Sequence, residues 1–156
     1  MSNLPPARFW DFSVKRYALG ENMHHCLALQ DKFGVNINLL LLLGWCVSNN
    51  IMLTLVQWQA LRHAIKQSDE KLNLHRQKRR KVKHKTPFNS VRYQQLKDEE
   101  LSLERLQQAD MLAQFNQQTH HSVEPQQVNG SIPAFIHLYN LRGNADALAL
   151  IAAVVN

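Results

Sequence analysis

The stretch INLLLLLGWCV, residues 37–47, decides how this chain folds. Wound as a helix, it presents apolar side chains in every direction except at Asn38. A helix without a polar face must be surrounded by other elements, so we expect it at the centre of the core, with Asn36 as its N-terminal cap. Its unbroken apolar run, residues 39–47, is about half the length that a membrane-spanning helix needs, so we expect no membrane span.

Two amphipathic helices are predicted on the N-terminal side of this stretch. They end at Gly20 and Gly34, because glycine adopts the left-handed backbone that closes a helix. The face that the first helix buries is predicted from residues at helical spacing: Trp10, Val14 and Tyr17.

On the C-terminal side, Thr54 and Gln57 form a capping box that opens a long helix. Its buried stripe is predicted to comprise Trp58, Leu61, Ile65 and Leu72. The helix continues into KLNLHRQKRRKVKHK, residues 71–85, which contains eight lysines and arginines and no acid. Because residues 75–81 include no apolar side chain, we expect this part to project into solvent.

The patterns together predict an all-α protein with a single domain, residues 1–156: a compact helical bundle of about six to seven helices with a projecting antiparallel helical hairpin. The core is expected in residues 7–66 and 132–155. The hairpin, about residues 67–118, pairs the basic helix with an acidic one. Residues 116–131 are predicted to form a mobile polar loop.

Two blocks, FWDFSVKRYA (9–18) and CLALQDKFGVNINLLLLLGW (26–45), resemble a bacterial, specifically proteobacterial, family of small helical cytoplasmic proteins. Its members share a W-D-F-S start and an L-Q-D and N-L-L-L block, and the family is a domain of unknown function. The resemblance implies an intracellular bacterial helical protein. It carries over no catalytic residue.

The basic segment gives the sharpest functional prediction. The chain has a net charge of +6, and the basic residues of 71–85 alone exceed that value, so the rest of the chain is slightly acidic. Two rows of cations along a helix suit the phosphates of nucleic acid or a ribonucleoprotein. The candidate contact residues are Lys71, Arg76, Lys78, Arg79, Arg80, Lys81, Lys83 and Lys85.

Three alternatives to that prediction stay open. The segment could contact an acidic protein, or it could be a solvated face in which Arg76 and Arg80 pair with the acids of residues 98–104. The hairpin could also serve a protein–protein adaptor through an apolar face formed by Leu101, Leu112 and Phe115.

A set of polar residues flanks the apolar helix and the start of the chain. They would form either a satisfied hydrogen-bond network or a polar pocket for a small ligand near the turn before residue 37. These residues are Asp11, Gln30, Asp31, Asn36 and Asn38.

Other chemistry finds little support in the sequence. No phosphate-binding glycine loop, paired catalytic acids or nucleophile signature occurs, so we expect no enzyme and no cofactor. The histidines lack metal-ligand spacing, so no metal site is expected. Cys26 and Cys46 lie in apolar patterns typical of buried thiols in a reducing cytoplasm, and the first residues lack a signal-peptide pattern. The oligomeric state is left open.

Overall fold

The computed structural model describes residues 3–156, in which eight helices and a small antiparallel sheet form. The expected all-α class is confirmed. In chain order the elements are α1 (Pro6–Ala18), α2 (Asn22–Phe33), α3 (Ile37–Ser48), β1 (Ile51–Met52), α4 (Leu55–Ala64), α5 (Lys66–His84), α6 (Ser90–Gln117), β2 (His121–Ser122), α7 (Ser131–Leu138) and α8 (Ala145–Val155).

Helix α3 occupies the centre of the core, as its composition predicts. It contacts α1, α2, α6, α7 and α8, and Leu39, Leu40, Leu42 and Leu43 are fully buried. The predicted cap is present, because the Asn36 side-chain oxygen accepts a hydrogen bond from the Leu39 N–H at 3.0 Å. No helix among residues 3–156 is both long enough and apolar enough to cross a membrane.

The predicted helix termini are found at Gly34 and Thr54, whereas α1 ends at Ala18, two residues before the expected Gly20. Gly34 closes α2 with a φ of 67°, in the left-handed region. Thr54 and Gln57 make both hydrogen bonds of the capping box at the start of α4. The structure has more helices than expected because the predicted long helix divides at Ile65. The backbone there leaves helical geometry, while the Ile65 side chain remains in the core at 1% exposure.

The predicted buried face of α1 is wrong at one position. Val14 is 51% exposed, whereas Phe9 and Ser13 are buried. Trp10 and Tyr17 are half-buried at the edge of the core. Because successive helical residues are about 100° apart, the inward face lies one residue away from the chosen spacing.

The hairpin is α5 and α6, and it does not project as a whole. His75 and Arg76 are each only 9% exposed, because α6 covers them, so the expectation of full solvation for this part of α5 is wrong. The C-terminal half of α6 belongs to the main core through Met111, Leu112 and Phe115. Only the hairpin end near the α5–α6 turn is exposed on all sides.

The segment predicted as a mobile loop is partly tied to the core. β2 pairs antiparallel with β1, with Ile51 opposite Ser122. The Asn129 side-chain N–H donates to the Ile51 carbonyl at 2.9 Å, and the Ser131 hydroxyl oxygen accepts from the Leu53 N–H at 2.7 Å. The segment is therefore anchored at its C-terminal end, because its buried polar side chains satisfy backbone groups of the β1 strand and the residue after it, while its mobility stays a prediction.

Candidate functional site

The cations of α5 divide into two groups according to the side of the helix they occupy. Arg76 lies on the side that packs against α6, with its side chain 10% exposed. Its Nε is 3.3 Å from Glu100 Oε1 and its Nη2 is 3.6 Å from Glu104 Oε1. Arg76 thus joins the two helices, and its predicted pairing with the acids of α6 is found.

Arg79 lies one turn further along the same side. Its Nε is 2.8 Å from Glu100 Oε2, although the N–H does not point at that oxygen, so the contact is a charge pair rather than an aligned hydrogen bond. Burial is the largest influence and opposes the positive charge, yet the Glu100 carboxylate and the Tyr93 hydroxyl together outweigh it and raise the pKa of Arg79. Glu100 therefore holds two arginines with a carboxylate that is only 12% exposed.

Arg80 does not reach the acids of α6, which corrects the predicted pairing. Its Nη2 lies 3.3 Å from Asp31 Oδ1 at the end of α2, and both side chains are more than half exposed. Such an exposed pair contributes little to stability.

The lysines of α5 behave differently from the arginines. They are exposed, and none of them forms an ion pair with any residue in the described part of the chain. Among the predicted contact residues they are Lys71, Lys78, Lys81 and Lys83 on α5 and Lys85 at its C-terminal cap. Of the eight predicted contact residues, the five lysines are thus free of ion pairs with the described residues, and the three arginines each pair with an acidic residue of the protein.

Helical geometry aligns four of these lysines. Lys71, Lys78 and Lys81, with Lys85 at the C-terminal cap of α5, follow one another along the exposed outer side of the helix, and we call them the lysine row. At 1.5 Å per residue the row is about 21 Å long. Lys83 lies apart from it, near the exposed end of the hairpin.

The predicted polar pocket residues are only partly brought together. The Asn36 and Asn38 side-chain N–H groups donate to the Gln107 side-chain oxygen at 3.0 and 2.8 Å. Asp11 lies on the exposed side of α1, and Gln30 and Asp31 border a different groove beside Arg80. The five residues therefore do not form one pocket, and the two asparagines belong to a hydrogen-bond network.

Sequence reasoning missed the glutamines at the centre of that network. Gln107 also donates to the Ser68 hydroxyl oxygen at 3.1 Å, and Gln108 donates to Ser13 Oγ and Asn38 Oδ1 at 3.2 and 3.0 Å. Their spacing held a signal, because each lies four residues before a core residue of α6, Met111 or Leu112. The network joins α1, α3, α5 and α6.

The apolar face predicted for a protein–protein adaptor is mostly buried in the core and is not available on the surface. Leu112 and Phe115 are 1% and 2% exposed and lie in the core, while Leu101 is 50% exposed. The helical spacing that groups them is real, but that side of α6 is covered by the body of the protein over its C-terminal half.

The thiols and possible metal ligands offer no reactive centre. Cys26 and Cys46 are buried and free, and burial raises the pKa of Cys26 to about 12 and that of Cys46 further. Throughout residues 3–156, no three side chains of His, Cys, Asp or Glu come together as a metal site would require.

The fold is thus an all-α bundle whose hairpin is joined to the core through buried polar contacts. Residues 8–111 match the family model described as "Protein of unknown function (DUF2390)". The chain belongs to this family, and the expectation of an uncharacterised family is confirmed. The match extends from α1 through most of α6 and so includes both helices of the hairpin. Searches of curated proteins and of solved structures found no match.

Proposed function

We propose that this protein binds a double-helical nucleic acid, alone or within a ribonucleoprotein, through the lysine row, without catalysing a reaction on it. The observation that carries the proposal is the row itself: exposed lysines in line on one helix, free of ion pairs with the described residues. A lysine that is already paired would have to give up its partner before it could bind a phosphate. These lysines have no such cost.

The dimensions of the row suit a duplex. A length of about 21 Å corresponds to roughly six base pairs, over which each strand presents a phosphate about every 3.4 Å along the axis. Ammonium groups on flexible stems bind phosphates as point charges, without the fixed geometry by which an arginine fork selects a base edge or a phosphate. The expected binding is therefore independent of sequence and strongly dependent on salt.

The composition of the row favours nucleic acid over an acidic protein. Protein interfaces are depleted in lysine and depend on aromatic or arginine anchors in dry pockets. Beside the row, α5 exposes a single large apolar side chain, Leu74, at 61% exposure. Single-stranded ligands are disfavoured, because no aromatic side chain interleaves with these lysines to stack on bases.

The test is fluorescence anisotropy of a labelled duplex of about 20 base pairs, since that length exceeds the row several-fold. One variant changes the four lysines of the row to Gln. The control removes the same amount of charge from four exposed residues elsewhere that form no ion pair with a described residue: Lys15, Lys32, Lys97 and Arg142.

The row variant should bind at least about tenfold more weakly than the wild type at low salt, while the control loses about threefold or less. Equal losses in the two variants would mean that net charge alone attracts the duplex, and the proposal would be wrong. Absence of duplex binding by the wild type at low salt would also overturn it.

A further inference from the structure

A cavity of about 190 Å³ lies where α1, α3, α5 and α6 meet. Its mouth is apolar, and two of its side chains, Val14 and Leu101, are each about half exposed. Polar side chains of the hydrogen-bond network, Ser13, Asn38 and Gln108, line its inner part. Val14 therefore lies at the rim of this cavity, which accounts for its exposure.

The cavity walls are held in place before any ligand arrives. The Arg105 guanidinium lies 4.3 Å from the ring centroid of Trp10, one of the wall residues. Arg76, another wall residue, is fixed by its ion pair with Glu100. A wall made of held side chains loses little conformational freedom when a ligand binds.

The polar lining has hydrogen-bonding capacity that the protein itself leaves unused. The Gln108 side-chain oxygen has no hydrogen-bond partner among the described residues, but it is fully buried and is not reached from the cavity, so it is not the acceptor for a ligand. The Glu104 carboxylate in the wall is 3.6 Å from its Arg76 partner, longer than a hydrogen bond. The Glu104 side chain is 32% exposed and lines the cavity, so its carboxylate can accept a hydrogen bond from a donor bound there.

Charge and size narrow the class of ligand. Arg76 and Glu104 offset each other in the wall, so neither an anion nor a cation is favoured over a neutral molecule. A cavity of about 150 Å³ lined by apolar side chains holds benzene, and this one is slightly larger. We propose that the cavity binds a small neutral molecule with an apolar body the size of one ring and a hydrogen-bond donor directed at the polar lining.

The probes that test this are phenol and toluene, which have the same shape and differ in the donor. Binding would be followed in 1H–15N spectra through the Trp10 indole N–H and the Gln108 side-chain amide, both in the cavity lining. We expect phenol to saturate both signals with a Kd of about 1 mM or tighter, and toluene to bind about tenfold more weakly.

Two matched variants locate the site. Leu101→Trp places a larger side chain at the cavity mouth, whereas Leu106→Trp makes the same change at another exposed leucine of α6 that does not line the cavity. Leu101→Trp should weaken phenol binding at least about tenfold, and Leu106→Trp should leave it unchanged. Both positions are exposed, so neither variant is expected to unfold the protein.

Several results would overturn the proposal. It fails if phenol shifts neither signal at concentrations about tenfold above the expected Kd. Equal affinity for toluene would show an apolar cavity without donor recognition. An equal effect of Leu106→Trp would place the binding outside the cavity.

Discussion

The two sides of α5 carry similar charge and do different things. On the side against α6, Arg76 and Arg79 are mostly buried and share the Glu100 carboxylate. On the outer side, the lysine row is exposed and has no ion pair with the described residues. A count of positive charges in the sequence treats these residues alike, whereas the structure gives one side an internal partner and leaves the other side available.

The difference follows the chemistry of the two side chains. A guanidinium is weakly hydrated and donates in several fixed directions, so it tolerates burial and joins two carboxylates. An ammonium is strongly hydrated and remains at the solvated surface, where its binding to phosphates is driven by the release of counterions. Arginine therefore suits the helix interface and lysine suits the outer surface.

The largest expected effect comes from breaking the inner side. Arg76→Gln leaves Glu104 without its ion-pair partner and Glu100 with Arg79 alone, at a site that is largely buried, which should cost about 3 kcal/mol in the free energy of unfolding. The matched change on the outer side, Lys78→Gln, should cost less than about 0.5 kcal/mol. Urea denaturation of the two variants measures both values, and equal costs would contradict the division between the two sides.

A somewhat smaller effect is expected where the inner side of the hairpin joins the core. Gln107→Leu removes the acceptor that the Asn36 and Asn38 amides share, so that the Asn36 amide N–H group keeps only its bond to Asp69, and it should cost about 2 kcal/mol. Gln95→Leu, an exposed position on the same helix, is the control and should change stability by less than about 0.5 kcal/mol. A neutral Gln107→Leu would mean that the network does not hold the hairpin.

Much of the fold could be predicted from the sequence, because local rules decide its elements. The apolar surface of α3, the left-handed Gly34 and the Thr54 capping box are each determined by a few neighbouring residues. The division at Ile65 could not be predicted, since it depends on keeping that side chain in the core while a new helix starts.

The candidate site was predicted less completely, because partners distant in sequence determine it. The segment 75–81 looks fully polar, yet α6 buries His75, whose Nε2–H donates to the Leu96 carbonyl at 2.7 Å. Arg80 was expected to pair with α6, but the end of α2 brings Asp31 closer. Which cation obtains which acid depends on how three helices meet, and no local pattern encodes that.

A small effect is expected for the arginine at the boundary between the two sides. Arg80 and Asp31 are both about half exposed, so Arg80→Gln should cost between about 0 and 1 kcal/mol in unfolding free energy. The double variant with Asp31→Asn should cost about the same as Arg80→Gln alone. A loss of unfolding free energy close to that of Arg76→Gln would show that Arg80 is a structural arginine like Arg76, and would contradict its position between the two sides of α5.

The smallest expected effect is a pH dependence on the inner side. Burial raises the pKa of Glu104, and Arg76 only partly offsets this. Because the folded state then holds the proton more tightly than the unfolded state, the contribution of Glu104 to stability should rise as the pH falls from 7 toward 5. Measured against Glu104→Gln at each pH, the wild type should gain stability on acidification; a relative loss would show that Arg76 outweighs burial.

The central claim is that the lysine row, and not the arginines, neutralises phosphates, and the salt dependence of duplex binding tests it most directly. If the row neutralises about four phosphates, the slope of log K against log salt should be about −3.6 for the wild type. With all four lysines of the row changed to Gln, the slope should flatten to a value between about −1 and 0. A slope that stays near the wild-type value in this variant would contradict the account, because other cations would then be making the phosphate contacts.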